Sequence, residues 1–157
     1  MIIRVSHPDQ LTRIIPEVTS LFGDFLARAK EPFSVADQWA AVLRGLASDR
    51  FLFLVVVDDK VKPVGYLLAQ AGFDFWQVPY ANVIQVYAKP GAMGFLQSLS
   101  DAFDEWAKGQ GALVASALTH RAGGAYSKWI AKFGFEPNAA MYVKLLGGTD
   151  RGETAED

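Results

Sequence analysis

Residues 83–99 read VIQVYAKPGAMGFLQSL. Val83 to Tyr87 has the apolar character of a strand, Lys89 to Gly94 is a loop of small residues, and Leu96 and Leu99 open a helical pattern. A helix that begins at such a loop aims several unpaired backbone N–H groups, and the positive end of its dipole, at one point. A pyrophosphate fits there, because Gly91, Ala92 and Gly94 put little bulk between it and the backbone. The spacing is neither G-x-G-x-x-G nor a Walker loop, so Rossmann and P-loop readings fail. An ordinary strand-to-helix turn has the same composition, and the loop alone does not separate the two.

Outward toward the N-terminus, Ala81 to Tyr87 belongs to a strand preceded by an aromatic loop from Asp74 to Tyr80. Before it, Phe51 to Val57 is a continuous apolar run suited to a strand covered on both faces, and Val64 to Phe73 returns as its hairpin partner. Asp58-Asp59-Lys60 and Pro63 supply the turn between them. Ser34 is positioned to cap a helix whose apolar face uses Val35, Trp39, Val42, Leu43 and Leu46. Leu11, Ile14, Val18, Leu21 and Phe25 recur at helical spacing, and Pro16 among them predicts a kink or a helix in two pieces. Ile2 to Val5 opens the chain as a short strand.

Toward the C-terminus, the helix of Leu96, Leu99, Phe103 and Trp106 ends at Gly109 and Gly111. A buried-type strand from Ala112 to Leu118, a helix from Ala125 to Phe133 stopped by Gly134, and a last strand from Met141 to Leu146 follow. Antiparallel hairpins followed by strand–helix–strand crossovers predict an α/β single domain over residues 1–146, a mixed and mostly antiparallel sheet with helices on both faces. GGTDRGETAED, residues 147–157, carries no apolar anchor and reads as a disordered acidic tail.

Composition narrows the function. Hydrophobic residues at 51% against 20% charged residues give a 157-residue chain a proper core and exclude wholesale disorder. A net charge of -2 supplies no field for duplex nucleic acid. With no cysteine, thiolate nucleophiles, disulfide frameworks and cysteine-ligated metals are excluded, and two histidines leave too few ligands for a histidine-rich metal site. FLFLVVV is too short to span a bilayer, and MIIRVSHPDQ lacks the apolar stretch of a signal peptide, so a soluble, cytoplasmic protein without membrane attachment is expected.

The element order and several local patterns resemble the GNAT superfamily of acetyltransferases over residues 1–146. Ile3-Arg4 with Asp9 and the helix after it is similar to that family's opening, and Val64-Gly65-Tyr66 to its glycine-bearing strand pair. Lys89 to Gly94 is similar to the loop Q/R-x-x-G-x-G/A, with Lys89 at the Gln/Arg position, Ala92 in place of the first glycine, and about two residues fewer than usual counted from Val86. Trp129 to Glu136, WIAKFGFE, resembles the family's f-Y-e-K-l-G-F-e almost position for position and is the most specific match.

The resemblance implies acetyl-coenzyme A as co-substrate, bound where two central strands part. Backbone groups near Val86 would meet the pantetheine arm, and Lys89 with the amides of Ala92, Met93 and Gly94 would meet the pyrophosphate. An amine acceptor, on a small molecule or a protein, would attack the thioester directly, so no protein nucleophile is required. The acid-donating tyrosine of the family falls at Ile130, which has no proton to give. Tyr126, one turn earlier on the same helix face, is the candidate acid, with packing as its other reading. Asp74, the sole acidic residue between Lys60 and Ser100, is the candidate base or else a solvated loop charge. His120 could shuttle protons or start a loop, and Lys89, Arg121 and Lys128 could face phosphates or solvent. Phe73, Phe75, Trp76 and Tyr80 could wall an acceptor pocket or serve as core or interface residues. The strand edge near Met141 to Leu146 would allow a homodimer. Two functional expectations follow: an acetyl-coenzyme A-dependent N-acetyltransferase, or a catalytically lapsed GNAT-like protein with a binding, structural or regulatory role, a phage virion among the settings.

Overall fold

The computed structural model describes residues 1–29, 31–117, 130–137, 144 and 146. The strand expected from Met141 to Leu146 and the tail from 147 fall largely or wholly outside these residues, as do Tyr126, His120, Arg121 and Lys128.

β2 (Phe51–Val57) is the strand that its apolar run predicts, and both its faces are covered. Leu52, Leu54 and Val56 pack into one core, while Phe53, Val55 and Val57 pack into another. The period of two along a strand therefore divides the molecule into two apolar layers on either side of one sheet. β1 (Ile2–Val5), β2, β3 (Pro63–Phe73), β4 (Pro79–Ala88) and β5 (Val114–Ala117) lie side by side in sequence order. The first four are antiparallel to one another, and β5 joins β4 in parallel.

α1 (Ile15–Ala29) and α2 (Val35–Leu46) cover one face, and α3 (Leu96–Gly109) covers the other. The helical pattern through Pro16 does come in two pieces. A 3-10 turn at Pro8–Leu11 precedes α1, and Pro16 occupies the first turn of α1, where its missing N–H has no intrahelical acceptor in any case. Ser34 caps α2 as its position predicts. Its Oγ accepts from Asp37 N at 3.1 Å, and Asp37 Oδ2 accepts from Ser34 N at 2.9 Å. α3 buries Leu96, Leu99, Phe103 and Trp106, the stripe read from the sequence. It closes at Gly111, whose φ of 75° is a left-handed C-terminal conformation that glycine adopts without strain.

Two local details set up the site. Gly65 faces the Tyr87 carbonyl so closely that a Cβ there would lie 2.8 Å from that oxygen, so β3 and β4 approach only because this position is glycine. Farther along the same pair, Leu68 is opposite Gln85 and Ala69 is opposite Val83. Ile84 is thus an extra residue, a β-bulge in β4, which bends the strand and increases its twist.

Candidate active site

The bulge directly follows the pairs that join β4 to β5 among the described residues. Parallel pairing runs from Tyr80 opposite Val114 to Val83 opposite Ala117, and the strand continues through Ile84 to Ala88 with no β5 partner among the described residues. The bulge at Ile84 bends β4 just before the stretch that runs into the loop. Val86 lies on this stretch, half-buried and opposite Leu67. Beside it is an apolar seam lined by residues including Val83, Val86, Leu99, Ala117, Ile130 and Phe133. Its free volume is about 30 Å³, so it is a packed seam and not a cavity. Ile130 contributes apolar wall there, consistent with the lack of any proton to donate.

At the end of β4 the chain turns through the loop that the sequence singles out. Lys89 N donates to the Val64 carbonyl at 2.9 Å, and Ala92 N donates to the Lys89 carbonyl at 2.9 Å. Gly91 has φ of 87°, which accounts for glycine at the turn itself. Met93–Phe95 forms one 3-10 turn that leads directly into α3, so the amides of Met93 and Gly94 stand at a helical start without an intrahelical acceptor. The Ala92 methyl group is buried in the α3-side core with Ala88 and Leu96, so alanine here also serves packing. Gly94 is the opposite case. It is exposed, its φ is not left-handed, and a Cβ would meet nothing within 4 Å. Nothing in the protein itself demands glycine at 94, which leaves room above the loop for a ligand.

The other face of the bulge opens onto a cleft of about 480 Å³. At a bulge two successive side chains turn to one side, and here both Ile84 and Gln85 line this cleft, facing α2. Gln85 is buried and joins the sheet to α2. Its Oε1 accepts from Gln38 Nε2 at 2.8 Å and from the Tyr66 hydroxyl at 3.0 Å, and its Nε2 donates to Gln38 Oε1 at 3.1 Å. Burial pushes the Tyr66 phenol far above its ordinary range, so it stays protonated as the donor in this network. None of the three residues was singled out from the sequence. The available signal was a glutamine inside an otherwise apolar strand, NVIQVYA.

Asp74, the candidate base, has a clear structural use. It sits exposed at the β3–β4 turn, where its Oδ1 accepts from Trp76 N at 2.8 Å and Val78 N at 2.9 Å. The carboxylate organises the turn, as an Asx side chain does, and it does not line the cleft. The aromatic stretch is likewise displaced from the cleft. Phe75 and Trp76 pack edge to face at 4.9 Å on the exposed tip, and the cleft takes its aromatic wall from Phe33 and Phe51. Among the described residues no group of three His, Asp or Glu side chains is arranged to hold a metal ion, and no helix is long and apolar enough to cross a membrane.

No protein-family model matches the sequence, and no curated protein matches it at a significant level. Solved structures do match the fold. An aminoglycoside antibiotic 6'-N-acetyltransferase from Acinetobacter baumannii aligns with a TM-score of 0.73 at 15% identity, over 94% of this chain and 99% of that one. A GNAT family acetyltransferase from Staphylococcus aureus aligns with a TM-score of 0.68 at 13% identity, over 92% and 98%. AAC(6')-Iy in complex with the bisubstrate analogue CoA-S-monomethyl-acetylneamine aligns with a TM-score of 0.72 at 16% identity, over 93% and 98%.

Proposed function

We propose that this chain, which has the GNAT acetyltransferase fold, transfers an acetyl group from acetyl-coenzyme A to an amine. The observation that carries the reading is the loop at Lys89 to Gly94, which follows the bulged strand β4 and enters α3 with the Met93 and Gly94 amides at a helical start and open space at Gly94. The complex of a structural neighbour with a coenzyme A bisubstrate analogue supports it.

The co-substrate would supply the acetyl thioester. The β4 backbone around Val86 would pair with the amides of its arm, above the apolar seam. The Met93 and Gly94 amides would take the pyrophosphate, with the Lys89 ammonium adding opposite charge. The acceptor would enter from the cleft on the α2 side. Its nitrogen bonds to the thioester carbon, the carbon–sulfur bond breaks, the amine loses one proton and the departing thiolate gains one. With Asp74 occupied in its turn, water in the cleft is the acceptor for the first proton. Tyr126, outside the described residues, is proposed as donor of the second.

Calorimetric titration with acetyl-coenzyme A, followed by thiol release in the presence of simple amines, tests the reading. Micromolar binding that raises the melting temperature, together with thiol release, is expected. No binding at millimolar co-substrate would remove it. Tyr126→Phe should lower turnover by about 10²- to 10⁴-fold with unchanged co-substrate affinity, the range for a lost general acid. Parent-level activity would reject Tyr126 as the donor. A second reading, a lapsed scaffold that binds without catalysing, is favoured by Ile130 at the acid position. It requires no turnover with any amine, with or without binding of acetyl-coenzyme A.

A further inference from the structure

We propose that the cleft between α2 and the β3–β4 bulge selects an amine that carries a carboxylate at its far end, and that Arg44 and Arg50 are the residues that select it. The proposal rests on the acetyltransferase reading for the role of the amine, but not for the binding itself.

Among the described residues the charged groups lining the cleft are Arg44, Arg50 and Asp37. Asp37 is already engaged: its Oδ2 accepts from Ser34 N at 2.9 Å and from Ser34 Oγ at 2.8 Å, in the cap of α2. The arginines are not. Among the described residues no carboxylate is recorded within ion-pair distance of either guanidinium. Arg50 lies over the Phe73 ring at 5.0 Å, a contact that orients the guanidinium and leaves its charge uncompensated. The cleft therefore presents an excess of positive charge. A polycationic acceptor meets repulsion there, whereas a carboxylate meets two planar forks suited to it.

Position converts this into a length. Gln38 bonds Gln85, so the bulge is level with the N-terminal half of α2. Arg44 is six residues farther along, roughly 9 Å at the helical rise. The sheet gives the same answer independently. Gln85 is opposite Leu68, Phe51 is opposite Gln70, and the Arg50 carbonyl accepts from Ala71 N, so Arg50 is three strand positions from the bulge row, roughly 10 Å. An amine at the bulge and an acid at the arginines are thus separated by a chain of several atoms. Between them Val42, Leu68, Phe51 and Ile84 form an apolar wall suited to methylene groups. The shape is that of an ω-amino acid or the end of a short peptide.

Three amines of equal chain length isolate the end group: 6-aminohexanoate, hexylamine and 1,6-diaminohexane. Binding to the full-length protein is measured calorimetrically at low salt with coenzyme A present, and acetyl transfer is measured separately. We expect 6-aminohexanoate to bind about tenfold more tightly than hexylamine, with the diamine weakest. In Arg44→Gln/Arg50→Gln the preference should vanish through weaker 6-aminohexanoate binding, with hexylamine unchanged. Both residues are exposed, and an unchanged melting temperature verifies the fold of the variant. Equal or tighter binding of the diamine, absence of 6-aminohexanoate binding, or a preference that survives in the double variant overturns the proposal. Selective binding without acetyl transfer to any amine would leave this inference standing and remove the acetyltransferase reading. Transfer to all three amines with equal efficiency would do the reverse.

Discussion

Gly94→Glu abolishes acetyl-coenzyme A binding, weakening it by about 100-fold or more, while the variant keeps the parent's melting temperature. The two halves of this expectation have separate causes. A side chain at 94 meets no atom within 4 Å and needs no left-handed backbone, so the substitution is an ordinary surface change, with an expected effect within about 0.5 kcal/mol. The introduced carboxylate, however, stands at the helical start whose amides would hold the pyrophosphate, and it both competes for those donors and repels the phosphates. Like charges about 5 Å apart near a surface, at an effective dielectric constant of about 20, repel by roughly 3 kcal/mol, enough for the stated loss. Gly91→Ala serves as the contrast, because φ of 87° there makes the penalty one of folding. Calorimetry and thermal melting on the purified variants decide the matter. Unchanged affinity in a folded Gly94→Glu protein would mean that the loop does not hold the phosphates.

Gln85→Ala should lower stability by about 2–4 kcal/mol in urea denaturation, since a buried donor or acceptor left unpaired costs about 1–3 kcal/mol. The substitution strands the Tyr66 hydroxyl and both ends of the Gln38 amide, and those groups are buried on the α2 side of the sheet. Water from the adjacent cleft can reach some of them, which is why the expected loss is below the full sum. Tyr66→Phe removes one donor and leaves the amide pair intact, so it should cost about 1 kcal/mol. A loss below about 1 kcal/mol for Gln85→Ala would show that water replaces the network and that the bulge is held by its backbone alone.

The candidate site was legible to different depths along the chain. The glycine turn at Gly91 and the open position at Gly94 followed from local composition, because a tight turn into a helix makes demands that one or two residues can meet. Asp74 was open to two readings in the sequence. A carboxylate in a turn is suited to accepting the turn's own amides, and the hydrogen bonds from Trp76 and Val78 show that use. Ala92 was open in a similar way, as a small residue serves both a phosphate loop and a crowded core, and its burial shows the second use.

By itself the sequence determined the elements whose signal is local. The apolar run Phe51–Val57, the Ser34 cap, the stripe on α3 and the punctuation by glycine, proline and aspartate specify strands, helices and turns through interactions within a few residues. The unbroken apolar run Phe51–Val57 also implied a sheet covered on both faces. The tertiary structure alone decided the bulge at Ile84, and with it which side of β4 each side chain faces. Strict alternation puts Val83 and Gln85 on one face, whereas the extra residue turns Val83 into the α3-side core and Gln85 toward α2. The reason is physical: a bulge is chosen by the register of the partner strand and by the packing of two helices against opposite faces, and neither is encoded within β4. The same is true of Arg44 and Arg50. They are ordinary surface charges in the sequence, and the antiparallel return of β2 beside α2 brings them to the rim of one cleft.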